Sequence, residues 1–145
     1  MSGLVIVIDT REQTPWHFPP DVCETCMFPL KAGDYALRGD SNFSIERKSL
    51  DDFVGTVSSD WDRFLRELDR MKGFPARVII VENQYKEIIN HGYSHPQVRP
   101  RFVIKRIAQL TMMGVSVLFA DDRTMAAGLC YSILKRRHEE LNGGK

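Results

Sequence analysis

Three short apolar runs constrain this chain more than any other feature: Leu4–Ile8, Arg77–Glu82 and Val115–Phe119. Leu4-Val5-Ile6-Val7-Ile8 has no polar position to turn toward water, so it reads as a central strand covered on both faces. The other two read as further buried strands, and between the runs the hydrophobic period lengthens from strand to helix. Trp61, Phe64, Leu65, Leu68 and Met71 hold the spacing of an amphipathic helix that Gly73 and Pro75 stop. A second helix is expected from about Arg101 to Met113, ended by Gly114. Thr124 is expected to cap a last one, with Met125, Leu129, Ile133 and Leu134 facing inward, up to Gly143. Ser49-Leu50-Asp51-Asp52 reads as a capping box opening a short helix to about Val57, and Ser59–Asp62 repeats that signature. Gln84–Asn90 reads as a short helix and Cys23–Leu30 as a short strand. Gln13–Val22 reads as an irregular loop, and His91–Pro100 as a long, flexible-looking connection. Strands alternating with helices, with a meander near the start, give a three-layer α/β domain around a mixed central sheet. The 145 residues are expected to form one domain with its own core.

The meander carries the chemistry. Asp34–Arg38 and Phe43–Lys48 both alternate apolar and polar residues, and Gly39-Asp40-Ser41-Asn42 between them is a cluster of turn formers. A hairpin closed around Asp40 sets Tyr35 opposite Ile45 and Leu37 opposite Phe43, which sorts the large apolar side chains onto one face. The same register sets Asp34 opposite Glu46, and Lys48 shares their face because alternate strand residues do. Like charges at that spacing repel. A divalent cation between them relieves the repulsion, and the nearby lysine turns the cluster into a candidate site for phosphodiester cleavage. The competing interpretation is an exposed strand edge with solvated charges. Asp9-Thr10-Arg11-Glu12 adds a charged cluster at the C-terminal end of the first strand, where open α/β sheets place their sites.

The formal net charge is only +1, so affinity for nucleic acid has to come from local basic patches. Three cysteines, no secretory h-region and no run of membrane-spanning length point to a soluble protein of a reducing cytoplasm. No glycine-rich phosphate loop, nucleophile elbow or cofactor fingerprint supports a small-molecule enzyme or an unrelated metal-binding regulator.

In order and spacing, Ile8-Asp9-Thr10-Arg11-Glu12, Gly33-Asp34 and Glu46-Arg47-Lys48-Ser49-Leu50-Asp51-Asp52 resemble the XPF-type nuclease domain. The family pattern starts V-D-x-R-E, with Ile8 here in place of Val, and continues G-D…E-R-K-x-x-x-D. The resemblance implies a restriction-endonuclease-like fold and magnesium- or manganese-dependent cleavage of DNA at branches, flaps and single-strand/double-strand junctions, in repair, recombination or phage DNA processing. It implies that Asp34 and Glu46 bind the metal, with Asp9 as an additional ligand or supporting acid. Lys48 would position or activate the attacking water. Arg47 would hold the scissile phosphate or the local ion-pair network, which Arg11, Glu12 and Asp52 would complete. A homodimer or heterodimer is the partner arrangement the resemblance implies. Relatives in archaea and eukaryotes carry helix-hairpin-helix repeats after this domain. The sequence here shows none, so a standalone domain is expected, nucleoid-associated in a bacterium or in the host cytoplasm for a phage. The alternative is a catalytically silent DNA-binding or scaffolding partner within a nuclease complex.

Other residues carry two readings each. Asp52 either acts at the site or only completes the cap with Ser49. Arg63, Arg66 and Arg70 either track a DNA backbone or pair with Glu67 and Asp62 along their helix. Arg99, Arg101, Lys105 and Arg106 form a denser basic group that touches DNA or is merely solvated. Lys135, Arg136, Arg137 and His138 suit a helix C-terminus. Cys23-x-x-Cys26 lacks a second pair at zinc spacing. Trp16 and Phe18 stack on an unpaired base or cover a core edge.

Overall fold

The structure, a computed structural model, describes residues 3–143. The first apolar run becomes β1 (Val5–Ile8), buried at all four positions. It is followed by β2 (Glu24–Met27), β3 (Tyr35–Leu37) and β4 (Ile45–Lys48), then by α1 (Leu50–Val57) and α2 (Trp61–Arg70). β5 (Arg77–Glu82), α3 (Lys86–Ile89), α4 (Pro100–Met112), β6 (Val115–Ala120) and α5 (Arg123–Leu141) complete the chain.

The six strands form one sheet in the order β2-β1-β3-β4-β5-β6. β3 runs antiparallel to both β1 and β4, whereas β1–β2, β4–β5 and β5–β6 are parallel pairs. The sheet is therefore mixed, and the C-terminal ends of β1, β4 and β5 lie at one edge of the molecule. Strand alternation divides the core in two. Ile6, Ile8, Tyr35, Leu37, Ile45 and Ile80 pack on one side against Ala126, Ala127, Cys130 and Leu134 of α5. Ile79 and Val81 pack on the other against α1, α2 and α4 through Phe53, Val54, Phe64, Leu68, Val103 and Leu110. Three layers result, as the alternation of strands and helices requires.

Several local expectations change. Asp60, not Ser59, precedes α2, and it makes no side-chain cap bond. Asp122, not Thr124, caps α5 by accepting from the Met125 amide, because the helix begins one residue earlier than Thr124. On the inward face of α5, Leu134 is buried and Leu129 and Ile133 pack against the core as expected, whereas Met125 is exposed and Ala126, Ala127 and Cys130 are buried beside them. Small residues face the sheet there, so the helix can lie close to it. The 91–100 connection is tied down. The Ser94 amide donates to Asp51 Oδ1, the Tyr93 hydroxyl donates to the Val98 carbonyl, and Tyr93 itself is buried. Trp16 and Phe18 are also core, with Trp16 stacked on Tyr35 at 4.6 Å.

Candidate active site

Gly33 enters β3 with φ of +76°. A side chain there would collide with the buried Ser44, so only glycine fits both the backbone and the space. The Asp34 amide then donates to the Ile45 carbonyl at 2.8 Å, and Tyr35 lies opposite Ile45, the register expected from the turn. Asp34 and Glu46 flank that pair on adjacent strands. Asp34 is fixed by the Arg47 amide, which donates to its Oδ2 at 2.8 Å. Glu46 Oε2 lies 3.3 Å from the Lys48 ammonium.

Asp34 and Glu46 belong to one wall of a cleft of about 280 Å³. Asp9, Glu12, Asp34 and Glu46 line it from the sheet side, and Glu67 and Arg70 line it from α2. Burial first and the Glu46 charge second push the Asp34 carboxyl up to about 7, against the Arg47 amide, which opposes the rise. Glu46 is also raised, by burial first, with Lys48 opposing and the charges of Glu67 and Glu12 adding to the rise. Asp9 behaves in the opposite way. Burial disfavours its charge, but hydrogen bonds from the Arg11 guanidinium and the Leu30 amide prevail and hold it below the ordinary carboxylate value.

Arg47 points away from this cleft. As the residue between Glu46 and Lys48 it falls on the opposite face of β4. There its guanidinium pairs with Glu82 through Nε and with Glu12 at 2.9 Å, and it donates to the Thr14 carbonyl at 2.8 Å. The same group lies over Trp16, 4.9 Å from the ring centre. Trp16 in turn donates from Nε1 to Glu82, and the Tyr35 hydroxyl donates to Glu12. Of the two roles expected for Arg47, the structure gives it the ion-pair network.

The remaining candidates divide. Arg11 and Glu12 line the cleft, Arg11 committed to Asp9 and Glu12 to Arg47. Asp52 joins neither cleft nor network: it occupies the first turn of α1, its amide bonds to Ser49 Oγ, and its carboxylate faces solvent. The capping role is the one realised. Arg63 pairs with Asp60 at 3.1 Å instead of Glu67 or Asp62, and Arg66 is exposed. Arg99, Arg101 and Lys105 are exposed. Arg106 departs from that group. It lies over Trp61 at 4.1 Å and over Phe102, and its Nε donates to the Val57 carbonyl. Its guanidinium is thus spent on joining α4 to α1 and α2.

Two residues of the site are not foreseen from the sequence. Glu67, expected in helix ion pairs, forms none among the described residues and faces Glu46. Glu82 ends an apolar strand, and no local pattern signals its bond to Arg47. Its position at a C-terminal strand end is the available signal.

Among the described residues, no three His, Cys, Asp or Glu side chains converge on one point. A divalent cation still fits. Magnesium is commonly held by one or two carboxylates, with waters and substrate phosphate filling the remaining positions. Asp34 and Glu46 are two half-buried carboxylates whose mutual repulsion such an ion would cancel, and Asp34 Oδ1 makes no bond among the described residues. Asp9 fits less well, because Arg11 and Leu30 occupy both its oxygens.

Comparison with known proteins supplies a family. Residues 8–133 match the ERCC4 domain. XPF from Aeropyrum pernix superposes with a TM-score of 0.70 at 20% identity, over 92% of this chain and 61% of that one. XPF from Aeropyrum pernix in complex with DNA gives 0.69 at 20% identity, over 94% of this chain and 66% of that one. The chain thus spans somewhat under two thirds of the length of these relatives, and at this identity the likeness is one of fold. No curated protein matches the sequence.

Proposed function

The chain belongs to the ERCC4 domain family and has the fold of the XPF nuclease, and from that premise we propose that it is a metal-dependent DNA endonuclease. The observation that carries this reading is the Asp34–Glu46 pair, half-buried and like-charged beside Lys48 at the floor of an open cleft. Asp34 and Glu46 would hold Mg²⁺ or Mn²⁺, with Asp9 behind them setting the charge of the cleft. When bound, such an ion acts as a Lewis acid on the phosphodiester and acidifies a water ligand.

The chain's own groups do the rest. The Arg47 amide fixes Asp34 Oδ2, which leaves Oδ1 turned to the cleft. Lys48, at 3.3 Å from Glu46, is a compact cation that can release its carboxylate partner and donate instead to a phosphate oxygen or to the oxygen of a water. The Glu12–Arg47–Glu82 network on the far face holds β4 in register with β5 and with the loop after β1, so the cluster keeps its geometry as substrate enters.

The substrate class we propose is branched, flap or single-strand/double-strand junction DNA. The test is cleavage of a labelled splayed-arm DNA with Mg²⁺ or Mn²⁺. The unaltered chain should cut it, and Asp34→Ala should not. Equal cutting by both would remove Asp34 from the site. Binding without cutting by either would favour a silent scaffolding partner.

A further inference from the structure

We propose that Lys31 and Arg70 form a two-sided grip for the DNA backbone across the acidic cleft, a role that rests on the proposed nuclease activity. Five carboxylates line the cleft: Asp9, Glu12, Asp34, Glu46 and Glu67. Three of them are already balanced, Asp9 by Arg11, Glu12 by Arg47 and Glu46 by Lys48. Asp34 and Glu67 are left without an ion-pair partner among the described residues. A phosphodiester approaching that floor is repelled unless cations meet it at the rim.

Of the three cations lining the cleft, Arg11 is held by Asp9 and the Leu30 carbonyl. Lys31 and Arg70 are the other two. Both are exposed, and neither makes an ion pair or hydrogen bond among the described residues. Arg70 stands three residues after Glu67, a spacing at which the pair could close on the helix. It does not, and both side chains border the cleft instead.

The two cations come from opposite walls. Lys31 belongs to the connection between β2 and β3, just before Gly33 and Asp34, whereas Arg70 ends α2. A strand running from one to the other passes over Asp34 and Glu46. Their chemistry suits a phosphate backbone, since the lysine is a flexible point charge and the arginine fork can take two oxygens of one phosphate. Arg66, one turn before Arg70 and exposed, extends the basic line along the helix.

The test is the salt dependence of binding, with catalysis switched off. A fluorescent splayed-arm DNA is titrated with the full chain in EDTA over a range of KCl. Lys31→Gln and Arg70→Gln should each lower the slope of log K against log [salt] by about 0.7–0.9, the value of one phosphate contact. At 0.1 M salt that is a loss of about five- to eightfold per contact. Lys135→Gln makes the same charge change on α5, across the sheet, and should leave the slope unaltered. Melting temperatures of all three should match the parent, since the side chains are exposed. Slopes unchanged in both cleft variants, or equally reduced in Lys135→Gln, would overturn the grip while leaving the nuclease reading intact. No association by the unaltered chain would overturn the grip, and cleavage of the same DNA in Mg²⁺ would then show that the nuclease reading stands without it.

Discussion

Asp34→Asn tests whether the crowded carboxylates weaken the fold. Asp34 ionises at about 7 rather than 3.8, because burial and the Glu46 charge oppose its anion. One unit corresponds to about 1.4 kcal/mol, so the ionised group costs the folded protein about 4 kcal/mol at neutral pH. The direction follows from the raised folded-state value. Its stabilising contribution is complete below about pH 3.8 and is lost as pH rises toward 7. Asparagine keeps an oxygen for the Arg47 amide and nearly the same volume, but it carries no charge. In cation-free buffer at pH 7.5, urea unfolding should find Asp34→Asn more stable by up to about 4 kcal/mol. Its melting point should be several degrees higher. The two curves should converge near pH 4. Asp9 and Asp40, whose carboxyls are lowered, act only below that range and cancel in the difference. Added Mn²⁺ should stabilise the parent and leave the variant unmoved. A variant no more stable than the parent at pH 7.5 would refute the charge crowding on which the site assignment rests.

Further outcomes test the frame around the site. Arg137 pairs with Asp40 at 2.8 Å, and the Asp40 side chain is only 6% exposed; Arg137→Ala should lower stability to urea by about 1–3 kcal/mol, because the carboxylate loses its charged partner and keeps only the Asn42 amide. Arg106→Ala should cost about 1–2 kcal/mol in the same assay through its lost ring contacts and its bond to Val57. In fluorescence titrations, DNA affinity should fall more for Arg101→Ala than for Arg106→Ala.

Where periodicity is strong, the sequence is legible. The three apolar runs became β1, β5 and β6, and the alternation around Asp40 placed Tyr35 opposite Ile45. That single register brought Asp34, Glu46 and Lys48 to one face. Helix starts are less legible, because Ser, Thr and Asp compete as caps. Asp122 outcompeted Thr124, while Leu129, Ile133 and Leu134 kept the core face and only Met125 turned outward. Long-range polar partners are invisible. Nothing local in the sequence pairs Arg47 with Glu82, or Arg137 with an aspartate in a distant turn. Glu67 is hidden for a related reason: a helix ion pair and a cleft-facing carboxylate have the same spacing, and only the position of the sheet beneath the helix distinguishes them.

The alternation of β4 has a final consequence. Glu46 and Lys48 belong to the reactive side of the sheet and Arg47 to its supporting side, so chemistry and scaffolding are interleaved residue by residue. Inserting or deleting a single residue before Ile45 would invert every assignment at once. The guanidinium would arrive over the cleft, and two ionic side chains would be driven against the aromatic packing beneath. Frame along this strand is therefore guarded by folding itself, since a slipped chain loses its core before it can lose its activity.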